Sequence, residues 1–158
     1  MTDGGSSIPE VQQLLRVLAA GRRVAEIGTA FGEGAATMAE TAREIVTVEI
    51  DPDRAAIAQE RLAGRANVEL LVGDWRELLP QLGPFELVFA DGGLRSPSDW
   101  ELIPPLVEPG GMIVKDDLTP GRGVDGDPAR AFLLRDSRLA AVEILTTPAT
   151  AAILATRL

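Results

Sequence analysis

The chain has 158 residues, of which 46% are hydrophobic and 25% are charged, the usual balance for one globular domain. It contains no cysteine, histidine or tyrosine, which excludes disulfides, thiolate chemistry and the commonest general base. The net charge of −9, without a Lys/Arg cluster, argues against a nucleic-acid partner, and no apolar run approaches the roughly 20 residues that cross a membrane.

Hydrophobic periodicity predicts helices and strands that alternate along the chain. Residues 1–7 are predicted to be a flexible tail without the features of a signal peptide, and a helix is expected over 8–20 with Ser7 as its cap. Strands are predicted over 23–28, 44–51, 67–74, 85–93 and 110–117, with helices after them over 32–42, 52–64, 75–82, 98–107 and 129–136. Pro104 and Pro105 are expected to break the end of the helix over 98–107. Residues 118–128 are predicted to be a loop, and 138–145 and 150–158 two final strands.

Strands that alternate with helices predict an α/β protein with a parallel sheet covered on both faces. The short separation of the last two strands predicts an antiparallel pair at the end of that sheet. Composition does not change along the chain, so residues 1–158 are expected to form a single domain. The lack of a membrane-spanning run, a signal peptide and cysteine predicts a soluble, cytoplasmic protein.

Three closely spaced glycines follow the first predicted strand. Gly28 can turn without a side-chain clash, and Gly32 and Gly34 open the next helix, where free N–H groups attract anionic groups. Ligands of such sheets lie outside the carboxyl ends of the strands, which is where this stretch falls. A tight strand–helix turn without a ligand is the alternative.

Carboxylates follow the later strands at corresponding positions. Glu49 ends the second strand, where it could accept hydrogen bonds from a ribose diol or simply be solvated. Asp74 follows the third strand and is also a suitable N-cap for the next helix, two roles that are compatible. Asp91 ends the fourth strand.

The Gly-x-x-x-Gly-x-Gly spacing, with Glu26 two residues before Gly28, resembles motif I of the class I S-adenosylmethionine-dependent methyltransferases. "LVEPGGMIVKDD" resembles the motif before their fifth strand, so the resemblance covers residues 24–117. It implies a three-layer, doubly wound, Rossmann-like fold with a seven-stranded, mostly parallel sheet and an antiparallel last strand. It implies S-adenosylmethionine as cofactor, with Asp74 near the adenine amino group, Trp75 over the ring and Ser7 near the methionine end. The implied cofactor-binding residues are Ser7, Glu26, Gly28, Ala30, Gly32, Gly34, Glu49, Ile50, Asp74, Trp75 and Asp91.

The chain also resembles the cation-dependent O-methyltransferases of the catechol and caffeoyl-CoA type. That resemblance implies Asp91, Asp116 and Asp117 as ligands of a divalent cation such as Mg²⁺. Leu94 stands at the position of the family's lysine and Asp117 at that of its asparagine, and the N-terminal helices of that group are largely absent. A polar strand end without a metal is the alternative for Asp116 and Asp117.

The resulting hypothesis is an enzyme that O-methylates a small molecule. Asp91 is the expected catalytic residue, either as general base or as a metal ligand, and residues 118–128 are a lid or a plain connector. A non-catalytic adenosyl-ligand-binding module or subunit is the alternative, and an NAD-dependent oxidoreductase is less favoured by the glycine spacing. The sequence leaves the acceptor and a homodimer open.

Overall fold

The computed structural model describes residues 7–158, and its seven strands form one sheet. The strands are Arg23–Ile27 (β1), Glu44–Glu49 (β2), Val68–Val72 (β3), Phe85–Ala90 (β4), Val107–Leu118 (β5), Leu139–Thr147 (β6) and Thr150–Arg157 (β7). Their order is β3-β2-β1-β4-β5-β7-β6, and β7 is antiparallel to both of its neighbours while β1 to β5 pair in parallel. The predicted fold class is therefore confirmed, including its reversed last strand.

Helices cover both faces of this sheet. They are Pro9–Ala19 (α1), Glu33–Met38 (α2), Pro52–Leu62 (α3), Trp75–Leu78 (α4), Pro97–Trp100 (α5) and Pro128–Leu133 (α6). Because successive strand side chains point to opposite faces, Val24 packs with α1, α2 and α3, whereas Ala25 belongs to the cluster that includes α4, α5 and α6. The result is a three-layer arrangement with a buried sheet.

Several predicted boundaries are wrong. The helix predicted over 32–42 ends at Met38. The helix over 98–107, predicted to be broken by Pro104 and Pro105, is shorter than expected and consists of α5 and a 3-10 turn, Pro104–Leu106. Two adjacent prolines supply no backbone N–H, so an α-helix cannot continue there. Strand β5 begins at Val107 rather than at residue 110, and its pairing with β4 shifts register between Phe85 and Leu87.

The N-terminal prediction also needs correction. The residue that caps α1 is Ile8, whose side chain makes no capping bond, and not Ser7. The hydroxyl of Ser7 instead donates a hydrogen bond to Asp116. Residues 1–6 of the predicted tail lie outside the described residues.

All seven strands of residues 7–158 belong to the one sheet, but the single-domain assignment of residues 1–158 stays a prediction. Within the same described range, no helix has the length and apolarity needed to cross a membrane. The cytoplasmic location stays a prediction. The role of residues 118–128 as a lid stays a prediction as well.

A buried arginine joins α6 to strand β6. The guanidinium of Arg130, which is 1% exposed, donates to both oxygens of Glu143 at 2.8 Å, to Asp127 at 2.6 Å and to the Thr119 carbonyl at 2.7 Å. Removal of one partner from such a group leaves uncompensated buried charge. Because Thr119 and Asp127 lie near opposite ends of the 118–128 segment, this network holds both of its ends against strand β6.

We expect Arg130→Leu to lower the free energy of unfolding by about 3 kcal/mol, because Glu143 and Asp127 lose their counter-charge. Urea denaturation monitored by circular dichroism measures the change. Arg135→Leu is the control, since Arg135 pairs with Asp125 on the exposed surface and should cost less than about 1 kcal/mol. Equal losses in the two variants would show that the buried network contributes nothing of its own.

Candidate active site

One cavity of about 520 Å³ lies where strands β1 to β5 end. That volume suits a small-molecule site. Ten of the residues predicted for the site line it: Ser7, Gly28, Ala30, Glu49, Ile50, Asp74, Trp75, Asp91, Asp116 and Asp117. The structure therefore brings residues that are up to 110 positions apart in sequence, from Ser7 to Asp117, to one edge of the sheet.

Two glycine turns touch at the floor of the cavity. Gly28 has a left-handed φ of 91°, and a Cβ there would lie 2.9 Å from the backbone nitrogen of Gly92. The N–H of Gly92 also donates to the carbonyl of Ile27 at 2.8 Å. Only glycine fits at position 28, so backbone without a side chain lines the cavity where β1 and β4 end.

Glu49 is held in place by backbone donors. Its Oε2 accepts a hydrogen bond from the N–H of Ala30 at 2.7 Å, and its Oε1 accepts one from Asp51 at 3.0 Å. Ala30 has a φ of 49°, a strained conformation for a residue with a Cβ. A carboxylate has about four lone-pair sites, so Glu49 keeps acceptor capacity toward the cavity.

Glu26 lies behind the cavity wall. It is 1% exposed, and Thr47 donates a 2.5 Å hydrogen bond to its Oε2, while the hydroxyls of Thr47 and Thr29 are 2.6 Å apart. Burial raises the pKa of Glu26 to about 8, opposed by the Thr47 bond, and nearby carboxylate charges, led by that of Asp91, add to the rise. Glu26 is therefore mostly neutral at physiological pH.

The two later glycines are explained by packing. A Cβ on Gly34 would collide with Oε1 of Glu26, and a Cβ on Gly32 would crowd Ala58 of α3 at 3.2 Å. Glu26, Gly32 and Gly34 do not line the cavity, so direct cofactor contact by these residues stays a prediction. The two glycines instead allow close packing: Gly34 lets α2 approach the carboxyl of Glu26, and Gly32 lets it approach α3.

Asp74 caps α4 and also lines the cavity. It accepts a hydrogen bond from the N–H of Arg76 at 2.9 Å, and the guanidinium of Arg76 pairs with the same carboxylate at 3.0 Å. That guanidinium also donates to Asp99 at 2.9 Å and to the Gly93 carbonyl at 3.1 Å. Trp75 donates to the same carbonyl at 3.3 Å, so the loop after β4 is tied to the indole.

Asp91 and Asp116 form an acidic end of the cavity. Burial raises the pKa of Asp91 to about 7, and the negative charge of Asp116 raises it further, while Lys115 opposes the shift. Asp116 is 3% exposed and accepts a hydrogen bond from Ser7. Asp91 can therefore exchange a proton near neutral pH.

The acidic residues do not fit a divalent-cation site as they stand. Among residues 7–158, no group of three or more Asp, Glu, His or Cys side chains is placed to hold a metal ion. Asp117 is exposed and has a left-handed φ of 60°, and one oxygen of Asp116 is held by Ser7. The metal role of Asp91, Asp116 and Asp117 stays a prediction from the resemblance.

Sequence reasoning missed part of the cavity wall. Thr146 and Thr150 reach it from the β6–β7 hairpin, and Arg76 reaches it from the first turn of α4. Nothing in the local pattern around the two threonines marks them, because their proximity depends on the reversed strand β7. Gly92 had a signal, since the "DGG" after strand β4 could have indicated a second close backbone approach.

A family model described as "Methyltransferase domain" matches residues 25–118, more than half of the chain. The chain belongs to this methyltransferase-domain family. The match confirms the resemblance to the class I methyltransferases, and it favours them over the NAD-dependent oxidoreductases. The matched range contains Glu26, Gly28, Glu49, Asp74 and Asp91.

Curated relatives of this methyltransferase-domain protein carry methyltransferase names. A catechol O-methyltransferase of Niastella koreensis is 32% identical over 120 residues, which are 67% of this chain and 53% of the relative. A protein-L-isoaspartate O-methyltransferase of Methanoculleus marisnigri is 38% identical over 97 residues, 58% of this chain and 42% of the relative. The chain thus spans about half the length of these relatives.

Solved structures share the fold over nearly the whole chain. Cofactor-bound Rv0187 from MTB superposes with a TM-score of 0.77 and 26% identity, covering 96% of this chain and 81% of that one. An O-methyltransferase from Bacillus cereus in complex with SAH gives a TM-score of 0.77 at 22% identity, covering 98% and 84%. At that identity the second likeness shows the fold alone.

We expect Glu26→Gln to flatten the pH dependence of stability. The pKa of about 8 in the folded state exceeds the ordinary value of 4.5, so the contribution of the neutral carboxyl is complete below about pH 4.5 and is lost as the pH rises through about 8. Between these limits Glu26 makes the wild-type free energy of unfolding fall by at most about 1.4 kcal/mol per pH unit, and glutamine removes that slope.

Urea denaturation at a series of pH values measures the slope. Glu60→Gln, on the exposed face of α3, is the control and should keep the wild-type profile. Parallel profiles for Glu26→Gln and the wild type would contradict the assignment of a neutral Glu26.

Proposed function

We propose that the protein is an S-adenosylmethionine-dependent methyltransferase that O-methylates a small molecule. The observation that carries the proposal is the single cavity in which Gly28, Glu49, Asp74 and Asp91 meet at the carboxyl ends of four strands. The family match and the methyltransferase names of the relatives support the same activity.

The residues present fit an adenosyl ligand. Glu49 is oriented by two backbone donors and would hold the ribose hydroxyls, while Asp74 and Trp75 would hold the adenine. Gly28 lines the cavity with backbone alone, since a Cβ there would collide with Gly92, and Ser7 closes the cavity on the side expected for the methionine end. When bound, S-adenosylmethionine supplies an electrophilic methyl group on a sulfonium.

Asp91 is the proposed general base. A hydroxyl acceptor has to lose its proton as the new O–C bond forms, and the raised pKa of Asp91, about 7, suits proton uptake near neutral pH. The chain has no histidine, cysteine or tyrosine to take this role. The contribution of the other cavity residues is to orient the reactants and exclude water.

The acceptor is proposed to be small because the same cavity must hold both reactants in about 520 Å³. The names of the relatives include a catechol O-methyltransferase, which makes catechols and phenols the first acceptors to test. Thr146 and Thr150 border the acceptor side and offer hydroxyl groups for hydrogen bonding.

We expect Glu49→Gln to weaken binding of S-adenosylhomocysteine about 10-fold, because a charge-assisted hydrogen bond to the ribose becomes a neutral one. Isothermal titration calorimetry of the wild type with S-adenosylmethionine, S-adenosylhomocysteine and NAD should show that the adenosyl sulfur compounds bind and NAD does not. Glu60→Gln, remote from the cavity, should bind as the wild type does. An unchanged affinity in Glu49→Gln would remove the ribose assignment.

Turnover separates an enzyme from a binding module. We expect methyl transfer to at least one catechol or phenol, and Asp91→Asn should lower kcat about 100-fold while leaving S-adenosylhomocysteine affinity within about 3-fold, since general-base catalysis contributes on this order. Methyl transfer is followed with isotopically labelled S-adenosylmethionine. Tight cofactor binding without turnover of any acceptor would favour the non-catalytic module.

A further inference from the structure

A single hydrogen bond connects the first described residue to strand β5. The hydroxyl of Ser7 donates to Oδ2 of Asp116 at 2.7 Å, across 109 positions of sequence. Asp116 is 3% exposed, so this bond forms in a site that is largely shielded from water. Hydrogen bonds to charged groups in such places are stronger than neutral ones on the surface.

The first turn of α1 has few other polar attachments. Its N-cap, Ile8, makes no side-chain capping bond, and Gln12 donates only to the carbonyl of Ser7, within the same segment. The body of the helix is held by Val11, Leu15 and Ala19, which pack on the sheet. Ile8 also packs against this cluster, so the bond to the strand end fixes the position of Ser7 in particular.

This first turn forms a wall of the cavity. Ser7, Ile8 and Val11 line it opposite the glycine turn of β1, and Asp116 lines it from β5. A shift of the turn would open the acidic end to solvent and change the shape that a ligand meets. The bond thus couples the cavity wall to the sheet.

We propose that Asp116 is a positioning residue that holds the start of α1 as a wall of the cofactor cavity, in place of the metal-ligand role that the family resemblance implies. Its identified hydrogen-bond partner is a hydroxyl, and no three donors within residues 7–158 are placed to hold a cation. The inference rests on the proposed function for its ligand readout, but its structural readout is independent of any ligand.

An isosteric substitution separates the two roles. In Asp116→Asn, the amide oxygen can still accept the Ser7 hydrogen bond, and the amide N–H₂ takes the place of Oδ1. The same substitution removes the negative charge that a divalent cation requires. Asp116→Ala and Ser7→Ala each remove the bond itself.

Calorimetry with S-adenosylhomocysteine, in the presence of Mg²⁺ or of a chelator, gives the ligand readout. We expect Ser7→Ala and Asp116→Ala each to weaken binding about 10-fold, and the double variant to be no weaker than the worse single variant, because both remove one interaction. Asp116→Asn should stay within about 3-fold of the wild type, and Mg²⁺ should change none of these affinities. Ser137→Ala and Asp125→Ala, on the exposed surface, are the matched controls and should match the wild type.

Amide hydrogen exchange gives the structural readout without any ligand. The amide of Gln12, which donates to the Ile8 carbonyl at the start of α1, should exchange about 10-fold faster in Ser7→Ala and Asp116→Ala than in the wild type or Asp116→Asn, while the amides of β4 stay protected in every variant. Unchanged exchange in Ser7→Ala, or additive losses in the double variant, would overturn the proposal. So would Mg²⁺-dependent binding that is lost in Asp116→Asn. If the wild type bound no S-adenosylhomocysteine, the proposed function would fail, and the exchange data would still decide the role of Asp116.

Discussion

The contact between the turns after β1 and β4 is the constraint on which the site depends. The strand order reverses between these two strands, so no helix crosses the edge there and the two turns meet directly. The Gly92 N–H to Ile27 carbonyl bond closes the gap, and Gly28 has no room for a side chain. This backbone junction between the two turns forms the floor of the cavity.

A buried neutral acid supports the same junction from below. Glu26 sits under Gly34 with Thr47 as its hydrogen-bond partner, and burial favours the protonated form. An ionised carboxylate in that position would be costly to bury, and three more acids stand near it. The fold therefore carries a concentration of carboxyl groups that is tolerable only because some of them hold protons.

The cofactor side of the cavity was predictable from the sequence because it follows from strand ends. Glu49 and Asp74 each come directly after an apolar run, and parallel strands bring such positions to one edge. Gly28 was predictable for a steric reason, although Gly32 and Gly34 turned out to serve helix packing rather than the cavity wall. Helix limits were less predictable, since α2 stops at Met38 without any strong stop signal.

The contacts that close the cavity were not predictable because they form between distant segments. Ser7 meets Asp116 only because α1 packs beside the end of β5, and Thr146 enters only through the reversal of β7. A motif specifies which residue types occur, but the neighbouring segments decide which groups those residues contact, as Ser7 does for Asp116. Two proteins can thus share the strand-end acids of a family and differ in what those acids hold.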